Sequence, residues 1–222
     1  MSRDQRSAKP KERLCERRLS GVSVTHPQEM GFRRMAKIDR AELLGLLEKL
    51  DGALTKPTTL CVIGSCALLL MGHTTRSTED VDVWVPASSF NGAMLIQACQ
   101  VAEIGFNPTD ENAGEGKPYL QVVQPGVVRL PSYTNNRWAT GHQSTTMWRG
   151  RMLTIVIPPV AVLVASKLAR CEDRDLLDCE FLMTAGKAND EDVRVAARKM
   201  PSGVRTTVLE NVVLLGLVVK AA

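Results

Sequence analysis

The stretch from Gly64 to Val85 contains residue types at a spacing that suits metal-assisted chemistry on phosphates. Gly64 and Ser65 stand between a β-branched run and an apolar helical run, which predicts a strand-to-helix turn. Glycine lets the backbone approach a ligand closely, and a helix start offers free N–H groups to a phosphate. The hydroxyl of Ser65 adds a further donor. This turn is therefore a candidate phosphate-binding site.

Asp80 and Asp82 follow in the alternating segment DVDVWV, which predicts a half-buried strand. A spacing of two places both carboxylates on one face and turns the intervening valines towards the core. Paired carboxylates are hard oxygen ligands that suit Mg²⁺. Each signal alone is common and usually structural, but Arg76 and Thr78 directly ahead of the pair make the combination more specific. A carboxylate pair opposite a phosphate-binding turn indicates phosphoryl or nucleotidyl transfer.

Hydrophobic periodicity and capping residues predict the elements that position these side chains. Asp39 and Glu42 form a capping-box pattern at the start of the first helix. The predicted helices cover residues 38–54, 66–71, 90–104, 158–169, 174–184, 190–199 and 208–219, and the predicted strands 59–63, 80–85, 119–123, 126–130 and 153–157. This mixture predicts an α/β (α+β) fold, with a small mixed sheet flanked by helices and a helical C-terminal part.

The stretch from Gly64 to Val85 resembles the first motif of the minimal nucleotidyltransferases, the DNA-polymerase-beta-like superfamily. Their pattern is a strand, Gly-Ser, a helix and then a strand that carries D-x-D. The form G-S-x-A-L followed by G-x-x-x-R-x-T-x-D-x-D is similar to the abortive-infection and toxin–antitoxin branch. A second segment, Lys167 followed by an R-D-x-x-D run that ends at Asp178, resembles the same branch. The resemblance covers roughly residues 41–184.

The resemblance implies a Mg²⁺-dependent enzyme that moves a nucleoside monophosphate from a nucleoside triphosphate to an acceptor hydroxyl. The acceptor would be RNA, such as a tRNA end, or a protein, and the protein would be a toxin with a cognate antitoxin. The resemblance implies that Asp80 and Asp82 are metal ligands and that Lys167 and Asp178 are catalytic together with them. The residues it implies for nucleotide binding are Gly64, Ser65, Arg76, Thr78 and Lys167. For Lys167 and Asp178 a salt bridge that steadies two helices is the alternative.

One feature departs from the superfamily pattern, in which many members carry a third carboxylate on a later central strand. The predicted strand at 126–130 has Arg129 where an aspartate is expected, and no Asp or Glu occurs between Glu115 and Glu172. A general base for the acceptor hydroxyl is therefore missing from this place.

Two alternative functions stay open at the level of sequence. One is a nucleotidyltransferase of the antibiotic-modifying type, for which the loop with Asp110, Glu111 and Glu115 would supply an acidic pocket for a cationic small molecule. The other is an inactive nucleotidyltransferase-like binding module that serves as an antitoxin or assembly partner. The absent third carboxylate favours this last reading.

The basic charge of the chain is concentrated at its start. The formal net charge is +4, but residues 1–40 carry a net +6 and the remainder a net −2. Residues 1–34 are therefore predicted to be a basic flexible arm, either a solvated tail, a segment ahead of a start at Met30 or Met35, or one that binds nucleic acid or an acidic partner. Residues 35–157 are predicted to form the nucleotidyltransferase-like core, and 158–222 a helical part packed on it.

Cysteine usage and hydropathy predict a cytoplasmic protein. Six cysteines lack C-x-x-C spacing, and four of them lie in apolar stretches. No signal-peptide pattern stands at the start, and the longest apolar runs are shorter than the ~20 residues of a membrane-spanning helix. We therefore expect reduced cysteines, no membrane span and no histidine-based metal site.

Overall fold

The computed structural model describes residues 37–108 and 117–221, with side chains to residue 216. The helices are α1 Arg40–Ala53, α2 Gly64–Leu70, α3 Gly92–Val101, α4 Val160–Leu168, α5 Asp173–Gly186, α6 Asp190–Arg198 and α7 Ser202–Ala221. The strands are β1 Thr58–Cys61, β2 Asp80–Trp84, β3 Gly105–Phe106, β4 Tyr119–Val123, β5 Tyr133–Thr134, β6 Arg137–Trp138, β7 Thr145–Arg149 and β8 Leu153–Ile157. This mixture of helices and small sheets confirms the predicted α+β class. The arm at 1–34 and the acidic loop at 110–115 lie outside the described residues.

Helix α1 begins at the predicted capping box. The Asp39 Oδ1 atom accepts hydrogen bonds from the backbone N–H groups of Ala41 and Glu42 at 2.8 and 2.9 Å, and Glu42 Oε2 accepts from the Asp39 N–H at 2.8 Å. These bonds satisfy N–H groups that the first helical turn leaves without partners. The leucines at 43, 46, 47 and 50 form the buried face, as their helical spacing predicts.

Two three-stranded sheets meet where β1 ends. The first has the order β1-β8-β7, and the second, with the order β2-β4-β3, is wholly parallel. Val62, just after β1, bridges antiparallel to Val83 of β2, and the Ile63 N–H donates to the Asp82 carbonyl at 3.0 Å. The end of β1 and the turn that follows are thereby held against β2.

The predicted strand at 126–130 is wrong. Pro125 has no N–H to donate, and Gly126 has a φ of +98°, so the chain turns here and only an isolated bridge joins Pro125 to Val128. Arg129 consequently lies in an irregular segment rather than on a central strand. A short hairpin of β5 and β6 follows, and its two turn residues, Asn135 and Asn136, both have positive φ. Asparagine tolerates that conformation, which suits a tight hairpin turn.

The C-terminal helices pack on α4. Pro159 precedes this helix, and the strongly apolar run behind it supplies buried residues on several faces. Helices α5, α6 and α7 all contact α4, and Val160 approaches so closely that a Cβ on Gly186 would lie 2.5 Å from a methyl carbon of that valine. These helices confirm the predicted helical third of the chain.

Candidate functional site

The two aspartates of β2 share one face of the strand. Val81 and Val83 are buried, whereas Asp80 and Asp82 are half-buried. The Thr78 hydroxyl donates at 3.0 Å to the Asp80 backbone carbonyl and also lies 3.0 Å from its Oδ1. The alternation predicted from DVDVWV is therefore present, and Thr78 fixes the first carboxylate.

The turn at Gly64 faces the second carboxylate. Gly64 has a φ of +63°, a conformation that L side chains rarely adopt, and a Cβ placed there would lie 3.0 Å from Asp82 Oδ2. A glycine is therefore required both by the backbone and by the approach of Asp82. Ser65 follows at the start of α2 and is half-buried.

A cleft of about 340 Å³ brings together three of the predicted site residues, Gly64, Asp82 and Lys167. Arg129 and Arg170 line the same cleft, so its charged side chains are three cations and one carboxylate. Ser65, Thr78 and Asp80 line a neighbouring depression of about 300 Å³ instead, together with Ser77, Glu79 and two cations, Lys37 and Arg174. Six of the predicted residues thus lie in two depressions, one beside each aspartate, whereas Arg76 and Asp178 line neither.

The environment of β2 favours a neutral Asp82 when no cation is present. Burial, and then the charge of Asp80, raises the pKa of Asp82 to about 7. A divalent cation would remove this penalty, because it compensates two nearby carboxylates at once. The donor set of two carboxylates on one face fits Mg²⁺, and Gly64 leaves space beside Asp82 that a side chain would fill.

A buried ionic cluster stands behind Lys167. Asp178 is 1% exposed and accepts hydrogen bonds from Arg76 Nε at 2.7 Å and from Lys167 Nζ at 2.6 Å, with a further bond from the Arg76 guanidinium. The i, i+4 neighbour Arg174 is not its partner in the structure. Arg76 and Asp178 lie 102 residues apart in sequence, so this contact joins the loop before β2 to helix α5.

Asp175 extends the cluster to the rim of the cleft. It accepts two hydrogen bonds from Arg170, from Nε at 2.8 Å and from the terminal nitrogen Nη2 at 2.7 Å, and Lys167 Nζ lies 3.5 Å away. Burial acts to raise the pKa of Asp175, but these cations outweigh it and hold the pKa below its usual value. Arg170 is therefore fixed in orientation although it is largely exposed.

Strand β4 brings two residues to this face that the sequence did not identify. In the parallel register Tyr119 pairs with Asp80 and Gln121 pairs with Asp82. Burial, followed by the charges of Asp80 and Asp82, raises the pKa of the Tyr119 phenol. The alternating run YLQVV was the available signal, but its register against β2 is not readable from sequence.

Other expectations concern metals, cysteines and membranes. Within residues 37–108 and 117–216, no three His, Cys, Asp or Glu side chains are grouped so that they could hold a metal. The five cysteines of this part of the chain are free thiols, four of them buried, as expected. None of the helices described here has both the length and the apolar character needed to cross a bilayer.

A mixed α+β fold with paired carboxylates on a strand beside a glycine turn is consistent with a nucleotidyltransferase-type protein. The family described as "Nucleotidyltransferase of unknown function (DUF6036)" matches residues 41–193, more than half of the chain, and the chain belongs to this family. No curated protein and no solved structure matches it. The resemblance to nucleotidyltransferases is confirmed, while the toxin branch stays a prediction.

Proposed function

We propose that this protein is a Mg²⁺-dependent nucleotidyltransferase that moves a nucleoside monophosphate from a nucleoside triphosphate to an acceptor hydroxyl. One observation carries the proposal: Gly64, Asp82 and Lys167 line a single cleft. They come from the β1–α2 turn, from β2 and from α4, so only the folded chain brings them together. Membership of a nucleotidyltransferase family supports the same conclusion.

In this proposal each residue has a role that its surroundings support. Asp80 and Asp82 would hold Mg²⁺, which when bound would neutralise charge on the triphosphate and on the departing pyrophosphate. The backbone at Gly64 and the hydroxyl of Ser65 contact phosphate oxygens. Lys167, which is 11% exposed beside the cleft, offers its ammonium to the triphosphate and to the charge that develops as pyrophosphate leaves.

Three of the predicted site residues act on the nucleotide only through their neighbours. The Thr78 hydroxyl hydrogen-bonds the Asp80 carboxylate. The Arg76 guanidinium hydrogen-bonds Asp178, and Asp178 also accepts a hydrogen bond from Lys167 Nζ. We therefore assign Asp178 as a positioning residue for Lys167 rather than a group that touches the nucleotide. The assignment follows from its burial, since only 1% of its surface is exposed.

The acceptor we favour is a hydroxyl of RNA, such as a tRNA end, or of a protein, and the biological role we favour is that of a cytoplasmic toxin with a cognate antitoxin. The resemblance of the segments around Asp80 and Lys167 to the toxin branch supports both. A cationic antibiotic is a poorer fit to the described cleft, because Arg129, Lys167 and Arg170 face it against Asp82 alone.

Label transfer tests the proposal. Purified protein is incubated with Mg²⁺, cell extract and each of the four nucleoside triphosphates labelled at the α-phosphate. We expect label in macromolecules, and digestion with ribonuclease or protease then identifies the acceptor class. Asp82→Asn should abolish transfer, while Glu48→Gln, which removes an exposed carboxylate of α1, should leave it unchanged. Equal transfer by Asp82→Asn and wild type would refute the proposal.

A binding module is the second candidate, and it is favoured by the two-carboxylate donor set, since no group of three metal-ligating side chains exists in the described part of the chain. Such a module binds a nucleoside triphosphate or a partner protein without transferring a group. Calorimetric binding of nucleotide together with no label transfer in any extract would support this function over the first.

A further inference from the structure

Gln121 shares the carboxylate face of the site. It lies directly opposite Asp82 in the parallel β2–β4 register, and residues paired in this way project to the same side of a sheet. Leu120, its neighbour, is fully buried, whereas Gln121 is exposed. Its side chain makes no hydrogen bond to any other described residue, so the amide does not serve to hold the fold.

The charge on this face suits one divalent cation. Mg²⁺ is commonly held by one or two carboxylates together with substrate phosphates, whereas two adjacent cations carry four positive charges and need more anionic oxygen around them. Asp80 and Asp82 provide two negative charges, and the amide of Gln121 provides none. The neighbouring Tyr119 does not add one, because a phenol is neutral at ordinary pH.

We propose that Gln121 limits this site to a single divalent cation, which binds together with the nucleoside triphosphate, and that a carboxylate at position 121 creates a second cation position. The inference rests on the proposed function, because it assumes that Asp80 and Asp82 bind a nucleotide-associated cation. It goes further by assigning the number of cations and the residue that sets this number.

Counting bound Mn²⁺ tests this inference without any measurement of activity. Mn²⁺ binding is titrated by electron paramagnetic resonance in the presence of saturating α,β-methylene ATP, whose α–β linkage resists cleavage. We expect one Mn²⁺ per chain for the wild type and two for Gln121→Glu and Gln121→Asp. Gln124→Glu is the matched control, since it adds the same charge at an exposed position just beyond β4, and should bind one.

Each outcome has a separate meaning. Two Mn²⁺ in the wild type, or one in both acidic variants at position 121, overturns the inference while leaving the proposed function intact. No nucleotide and no Mn²⁺ bound by the wild type overturns the proposed function and this inference with it. Because Gln121 is exposed, both variants should fold, which circular dichroism and thermal unfolding verify.

Discussion

Asp178 is the residue whose removal should disturb both stability and the site. It is buried between two cations, Arg76 and Lys167, which share its one negative charge. A buried ion pair adds little net stability compared with apolar packing, but loss of one partner leaves the other as an uncompensated buried charge. Asp178 therefore both holds Lys167 in place and stabilises the contact between the loop before β2 and α5.

Asp178→Asn should lower the free energy of unfolding by about 3 kcal/mol, because Arg76 and Lys167 lose their shared counter-charge. Urea denaturation followed by circular dichroism measures this. Asp173→Asn, which changes an exposed carboxylate in the first turn of the same helix, should cost less than about 1 kcal/mol. Equal losses in the two variants would show that the buried cluster is not the cause.

Asp82 gives the protein a pH-dependent stability. Its pKa in the folded chain is about 7, above the ordinary value of 3.8, so folding favours the protonated form. The stabilising contribution is complete below pH 3.8 and is lost as the pH rises through 7. Without metal, the wild type should therefore lose on the order of 3 kcal/mol relative to Asp82→Asn between pH 4 and pH 8.

The free energy of unfolding of the wild type and of Asp82→Asn is measured at intervals of one pH unit, with a metal chelator present. Asp82→Asn should be the more stable protein at pH 8, since it carries no charge beside Asp80. Parallel stability curves for the two proteins would mean that Asp82 is already compensated in the folded chain.

At the scale of elements, the end of α1 clamps the turn between β7 and β8. The Asp51 carboxylate accepts hydrogen bonds from the N–H groups of Arg151, Met152 and Leu153, at 2.9, 2.7 and 2.7 Å. Burial acts to raise the pKa of Asp51, but these bonds prevail and lower it. Gly150 gives the carboxylate room, because a Cβ there would lie 2.5 Å from Asp51 Cγ.

Gly150→Ala should therefore destabilise the protein by about 2 kcal/mol, since the added methyl displaces Asp51 from its three donors. Gly52→Ala is the control at the end of α1, where an added Cβ meets nothing within 4 Å. That change should stabilise the helix by about 0.5–1 kcal/mol. Thermal unfolding measures whether each variant is less or more stable than the wild type. A Gly150→Ala variant as stable as the wild type would show that the turn tolerates displacement of Asp51.

At the scale of the molecule, the sequence predicted features that depend on neighbouring residues better than it predicted which strands pair. The capping box of α1 and the alternation in β2 depend on neighbours in sequence, and both are present in the structure. The predicted strand at 126–130 failed because Pro125 and Gly126 turn the chain there. The valines there resemble a strand pattern, but among the described residues this segment makes only the isolated bridge from Pro125 to Val128.

The site was predictable in its parts but not in its assembly. Gly64, Asp82 and Lys167 were identified from motifs, but the cleft they share forms only because the fold brings α4 beside the Gly64 turn and β2. Arg170 and Gln121 were not identified, because their positions depend on an ion pair with Asp175 and on the register of β4. Contacts of this kind are set by the tertiary fold, which one sequence does not display.

The contact between Arg76 and Asp178 also imposes an order on biosynthesis. The ribosome adds Arg76 to the chain 102 residues before it adds Asp178, the residue that neutralises it. At ordinary elongation rates that interval is roughly 5–20 s. The buried cluster of Arg76, Lys167 and Asp178 therefore forms only after translation has passed α5.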